Sequence, residues 1–354
     1  MAVTSRERVL AALSHREADR VPIDDSPWAT TIRRWRREGL PEGVSPAEYF
    51  GYEFSGVGAD LSLRMPTEVV EETDEYTIAW NANGALRKNF KHSTSTPECI
   101  DFRIKTSADW YAWKEEMEVG RDRINWEGGL RAQRAAREGG LWFPYRAATG
   151  YDKTQGVVGS ERLLIAMAQE PHWPADMYMT WSDMIVETAQ MMMDGGFEFD
   201  GAFLYDDMGY RNGPLFSPQM YRDICQPAHA KACEFFHGYG LKVILHSCGC
   251  VAPLVPDIID AGFDCLQPLE VKAGMDLVEL KQQYGQELAF MGGIDVRAMA
   301  DPDPRVIEEE IATKIEFAKR RGGYIYHSDH SVPDNVSFQR YGYVIELVHK
   351  HGQY

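Results

Sequence analysis

The feature that most constrains this chain is a series of short apolar runs, each closing on polar or ionisable side chains. They lie at residues 20–25, 56–63, 141–148, 199–205, 241–246, 263–267, 288–291 and 323–327. Runs of this length read as strands, and the stretches between the later ones carry helical periodicity. Helix-start signals open those stretches, at Ser160 before Glu161, at Ser217-Pro218 and at Asp301-Pro-Asp-Pro304. Glycines punctuate their ends, at Tyr239-Gly240, Ala261-Gly262 and Arg321-Gly322-Gly323. Eight strands alternating with helices favour a closed barrel over an open doubly wound sheet. No glycine-rich dinucleotide fingerprint or phosphate loop points to the open sheet either. The expected fold is α/β, a single (β/α)8 TIM barrel spanning residues 1–354.

Helical and hairpin additions are expected before the regular part. Thr4 and Glu7 have capping-box spacing ahead of Val9, Leu10 and Leu13. A basic helix runs over residues 30–38 and stops at Gly39. Asn81-Ala-Asn-Gly84 separates two strand-like runs and predicts a β-hairpin laid over the barrel.

Charge narrows the partners. Lys and Arg number 37 against 54 Asp and Glu, a net charge of -17. That field repels a phosphate backbone or an anionic membrane surface, so no nucleic acid and no membrane is expected to bind. The first residues contain no apolar core of signal-peptide length, and no run approaches the roughly 18 apolar residues of a membrane span. The expectation is a cytoplasmic protein whose six cysteines are reduced thiols.

Barrel chemistry sits where strands end. The strand ends here offer Asp24 and Asp25, Asp60, Arg146 with Asp152, Asp206 and Asp207, and His246 with Cys248. Further along come Gln267 and Glu270, Asp295, His327, Asp329 and His330. His246-Ser-Cys248 is the sharpest signal, because residues i and i+2 of a strand share a face. An imidazole and a thiolate are half of a tetrahedral zinc set. The plainer alternative is a hydrogen-bonded pocket histidine beside a buried thiol. Cys265 reads as core, and Gly249 leaves the direction of Cys250 open.

Asp206 and Asp207 are adjacent, so only one need enter the pocket. Asp206 is the expected proton partner and Asp207 a substrate contact; capping a helix or ordering a loop is the alternative. Asp60 has apolar neighbours, which would desolvate its carboxyl, raise its pKa and suit it to proton transfer. Its alternative is a salt bridge to an arginine. His330 is a catalytic acid/base or a third metal ligand, or else a hydrogen-bonding support for such groups. Asp25, Arg146 and Gln267 are expected to contact a small-molecule substrate.

In order, these segments resemble the uroporphyrinogen decarboxylase superfamily, which also contains the corrinoid- and coenzyme M-dependent methyltransferases. The likeness runs from the opening helix and Arg20-Val-Pro through Ser217-Pro-Gln-Met-Tyr and Gly240-Leu-Lys-Val-Ile-Leu-His-Ser-Cys-Gly. It continues in Ala261-Gly-Phe-Asp and Phe290-Met-Gly-Gly-Ile-Asp295. The resemblance implies a β/α barrel. The zinc methyltransferases carry His-x-Cys-Gly at the fifth strand, matched by His246-Ser-Cys248-Gly249, and a Cys at the last strand, where this chain has His330. That likeness implies zinc held by His246, Cys248 and His330. It also implies methyl transfer between a small substrate and a corrinoid on a separate protein, since no corrinoid-binding domain fits here.

The decarboxylases carry Arg-Gln-Ala-Gly-Arg after the first strand to grip propionates. Here that place reads Ile23-Asp-Asp-Ser-Pro-Trp28, with carboxylates where cations are needed. Asp60 and His330 do match decarboxylase positions, implying as second possibility a metal-free decarboxylase. A silent ligand-binding barrel is the third, disfavoured by the crowding of ionisable groups at strand ends.

Overall fold

A computed structural model describes residues 3–92 and 97–354. Thr4 caps the helix Ser5–Leu13 through a full capping box with Glu7. The basic helix spans Ala29–Glu38 and ends at Gly39, whose φ of 124° suits a residue without a Cβ. The expected hairpin is half of a larger element. Strands β1 (Glu68–Glu72), β2 (Tyr76–Trp80), β3 (Ala85–Phe90) and β4 (Glu98–Phe102) form an antiparallel sheet in that order. The outer pair escaped sequence reading because β1 is exposed along its whole length and shows no alternation.

The parallel strands follow as expected. They are β5 (Pro144–Ala148), β6 (Gly201–Tyr205), β9 (Lys242–His246), β10 (Cys265–Gln267), β11 (Ala289–Met291) and β12 (Tyr324–Ile325). A small hairpin of β7 (Gly209–Tyr210) and β8 (Gly213–Pro214) interrupts them. The six pair in the order β12-β11-β10-β9-β6-β5, all parallel.

Two irregular segments close the ring. Residues 21–25 join β12 through Tyr326 N to Pro22 O at 2.9 Å and Asp24 N to Tyr326 O at 3.1 Å. Residues 53–57 then link that segment to β5. Glu53 N bonds Ile23 O at 2.8 Å, Trp142 N bonds Glu53 O at 2.9 Å, and Arg146 N bonds Val57 O at 2.8 Å. The second stave thus lies earlier than the expected 56–63, with bridges at Phe54 and Val57 only. A Cβ on Gly58 would stand 2.0 Å from Arg146 O, so this close approach requires glycine there. Beyond Val57 the chain leaves the ring, and Asp60 N bonds Arg123 O.

Two apolar layers result. Inside the barrel, Phe54, Trp142, Phe203, Ile244, Cys265, Ala289, Met291 and Ile325 pack together, with Val9, Ala12 and Leu13 of the first helix in the same cluster. Residues of opposite parity, such as Tyr145, Leu204, Leu245 and Phe290, belong to the larger cluster between staves and helices. Among the described residues no helix is long and apolar enough to cross a membrane.

Glu53 is the knot of the closure. Its carboxylate, 2% exposed, accepts from Ile23 N at 2.7 Å and from Arg20 at 3.1 Å, and it also pairs with the buried Arg8. Removing one member of a buried ion pair strands the other charge in low dielectric. Glu53→Gln is expected to lower unfolding stability by about 3–5 kcal/mol in urea titrations. A loss comparable to that of a surface substitution would refute this role.

Candidate functional site

Register builds the site. β6 and β9 pair with Tyr205 opposite His246, and β10 pairs with β9 with Gln267 opposite His246. Side chains alternate along a stave, so Tyr205, His246 and Gln267 follow the inward parity of Phe203, Ile244 and Cys265. Two residues on, Asp207 and Cys248 come together in the same way: Cys248 N donates to Asp207 Oδ1 at 2.8 Å. His246 Nε2 stands 3.3 Å from Asp207 Oδ1 and 3.4 Å from Cys248 Sγ. His246 Nδ1 is hydrogen-bonded to Gln267 Oε1, and Gln267 Nε2 lies 3.4 Å from His327 Nε2. An amide oxygen only accepts, so Nδ1 carries the proton of that bond and Nε2 faces the acid and the thiol.

The electrostatics follow from this packing. Burial works against a charged His246, yet its bonds to Asp207 and Cys248 overcome that and hold its pKa well above the usual imidazole value. Asp207 is likewise opposed by burial but held below the usual carboxylate range by His246 and by Cys248 N. Burial raises the Cys248 thiol, partly offset by His246.

Among the described residues, Asp207, His246 and Cys248 are the set whose ligand atoms all lie within 4.8 Å of one another. One imidazole nitrogen, one sulfur and one carboxylate oxygen match the donors zinc takes. Three protein ligands also leave a fourth position open, as catalytic zinc sites do. Gln267 supplies the outer hydrogen bond that orients a ligating histidine. The residues present therefore fit such an ion.

Several expected site residues lie elsewhere. His330 is outside the three-donor set: it lines a pocket of about 240 Å³ shared with His246, Cys248, Gln267 and His327, and packs edge-on against Trp28. Burial lowers its pKa. Asp206 has the outward parity of Leu204 and is fully buried behind the stave, 2.9 Å from His229 Nε2 and accepting from Asp152 N at 2.7 Å. It orders structure and does not reach the pocket.

Asp25 is outward too, accepting from Ser328 Oγ at 2.5 Å and Tyr341 OH at 2.8 Å. Asp60 is not a desolvated acid. Its side chain is 44% exposed and ion-paired with Arg64. What burial it has opposes the charge, but hydrogen bonds from Ser62 and Arg64 outweigh that and lower its pKa. Gln267 serves as the orienting partner of His246. Arg146 is half-buried, its Nη1 donating to Tyr205 OH at 3.3 Å and its Nε lacking a partner among the described residues.

The sequence places Asp24 at a strand end, but the substrate contact is assigned there to its neighbour Asp25. Asp24 alternates with the outward Ile23 and Asp25, and the charge that most offsets its burial is Arg146. Asp329 and Glu270 are loop staples: Asp329 accepts from Val271 N and Val296 N at 3.0 Å each, and Glu270 accepts from Gly249 N at 2.7 Å. Cys265 is core, as expected.

A family model described as uroporphyrinogen decarboxylase (URO-D) matches residues 149–351, more than half of the chain. The chain belongs to the uroporphyrinogen decarboxylase family. A curated uroporphyrinogen decarboxylase from Klebsiella pneumoniae (strain 342) is 29% identical over 75 residues, 21% of this chain and 21% of that enzyme. Among solved structures, a methyltransferase from Methanosarcina mazei superposes with a TM-score of 0.68 at 16% identity, covering 98% of both chains. At that identity the likeness speaks for the fold, and it supports the barrel read from the strand count.

Desolvation raises the Asp24 pKa to about 8, Arg146 offsetting only part of it. The folded state then holds a proton that the unfolded chain has released, so stability falls as pH rises from the ordinary carboxylate value through about 8. Asp24→Asn is expected to be more stable than wild type above about pH 8, the two converging in acid. Denaturation at a series of pH values checks this; a stability difference that does not vary with pH would overturn it.

Proposed function

We propose that this member of the family is a methyltransferase in which Asp207, His246 and Cys248 hold a zinc ion. A methyl group would pass between a small substrate and a corrinoid carried on a separate protein. The convergence of three donor atoms within 4.8 Å at the ends of two neighbouring staves carries the reading. Bound there, zinc supplies a Lewis acid that lowers the pKa of a coordinated thiol or water. Gln267 fixes the imidazole plane and tautomer of His246, so Nε2 needs no reorientation to bind. Arg146, with its Nε unpartnered, and His330 at the pocket wall orient the substrate. Asp24, neutral over much of the physiological range, holds a proton for a leaving group in the barrel mouth.

A carboxylate in place of a second thiolate makes the ligand set harder. Where the decarboxylases present arginines this chain has Asp24 and the outward-facing Asp25, so that segment offers no cation to a polyanionic tetrapyrrole. Decarboxylation remains the second reading because of the match to the Klebsiella enzyme. The exposed, ion-paired Asp60 weighs against it.

Protein purified without chelator is expected to contain about one zinc per chain by elemental analysis. Cys248→Ser and Asp207→Asn should each lose most of it, and Gln267→Ala, which removes the hydrogen bond to His246 Nδ1, should weaken affinity by about 10–100-fold. Wild-type protein that neither retains nor takes up stoichiometric zinc would remove the reading. Turnover of uroporphyrinogen by metal-free protein would replace it with the decarboxylase.

A further inference from the structure

A cleft of about 810 Å³ lies between the antiparallel sheet and the helices Gly150–Val158 and Ser160–Gln169, larger than the pocket at His246. One wall is apolar. Phe102 and Val158 are buried at its base, while Ile100 and Ile165 stand 47% and 49% exposed at its sides. Large apolar side chains left open on facing walls of a cleft mark a surface that something covers.

Arg87 stands on β3, in register with Cys99 of β4 in the same sheet. Its Nε is buried without a hydrogen-bond partner, and among the described residues its guanidinium makes neither a hydrogen bond nor an ion pair. The neighbouring acids do not neutralise it. Asp101 is committed to Lys105 at 2.7 Å, and Asp152 accepts from Gln155 at 2.9 Å. Glu161 lines the cleft without reaching Arg87, and Arg162 is turned to Val158 O. A partly desolvated guanidinium without a counter-charge is costly, and it presents a planar fork that a carboxylate fills with two parallel hydrogen bonds.

We propose that this cleft binds a monoanionic carboxylate with an apolar body, its carboxylate on Arg87 and its body between Ile100 and Ile165. Arg87 and Arg162 share the lining with Asp152 and Glu161, and that near balance of charge favours one added negative charge over the two of a phosphate monoester. The volume suits a ligand of ordinary metabolite size. This site does not depend on the reaction at the barrel mouth. Asp152 is the link between them, since it lines the cleft and feels the charges of Asp207 and His246. The ligand is either the far end of the substrate or a separate molecule.

Cys99 provides the readout, being an exposed free thiol in the cleft lining. Decanoate below its micellar concentration is expected to slow modification of Cys99 by N-ethylmaleimide, read by peptide mass. 1-Decanol at equal concentration should protect far less. Arg87→Gln should weaken the decanoate protection about tenfold or more, with an unchanged melting temperature because no hydrogen bond is lost. Ile165→Asp should abolish it while leaving Arg87 in place. Slowing of Cys248 modification by the same decanoate would identify the ligand as the substrate's tail; an unchanged Cys248 rate would identify a separate molecule. Protection equal in wild type and Arg87→Gln, equal for the alcohol, or absent altogether would overturn the proposal.

Discussion

The site rests on one constraint: parallel staves held in register present alternate side chains to the same side of a closed wall. With Tyr205 opposite His246 and Gln267 opposite His246, the polar tier at the mouth assembles without any special loop. Two residues further the same parity brings Asp207 and Cys248 together, and the bond from Cys248 N to Asp207 Oδ1 continues the sheet's own pairing through a side chain. The chemistry-bearing cluster is thus the last rung of the barrel ladder, extended past the point where backbone pairing stops.

Closure makes that register possible, and it is the least regular part of the ring. Six staves are ordinary parallel strands; the two N-terminal segments contribute bridges and single hydrogen bonds. A buried carboxylate at Glu53 compensates by binding Ile23 N together with Arg8 and Arg20. The interior is graded along its axis. Apolar side chains and the first helix share one interior cluster, whereas Arg146, His246, Gln267 and His327 crowd the ends of the staves. Groups held there are partly desolvated, which raises Asp24 and couples His246 to Asp207.

Much of this was legible beforehand, for reasons that are local. The strand–helix alternation follows from apolar runs and helix caps, and Thr4, Ser217 and Asp303 cap the helices that their spacing announced. His246 and Cys248 share a face because they are two apart, which needs no knowledge of the partner strand. The outer strands of the antiparallel sheet were not legible, since β1 buries no face. Asp60 misled because its apolar neighbours Leu61 and Leu63 are buried while its own carboxylate points to Arg64 and solvent.

What the sequence determined by itself is the inventory: which side chains stand at stave ends, and which of them alternate together. What only the tertiary structure decided is direction and neighbourhood. Staves buried on both faces are apolar at every position, so nothing in the run says which parity looks inward. Hence Asp24 and Asp207 face the mouth while their neighbours Asp25 and Asp206 are locked behind the wall by Tyr341 and by His229. Likewise Asp207, and not His330, joins the imidazole and the thiol. Proximity between segments some forty residues apart is set by strand register, which is a property of the closed ring and of no single segment.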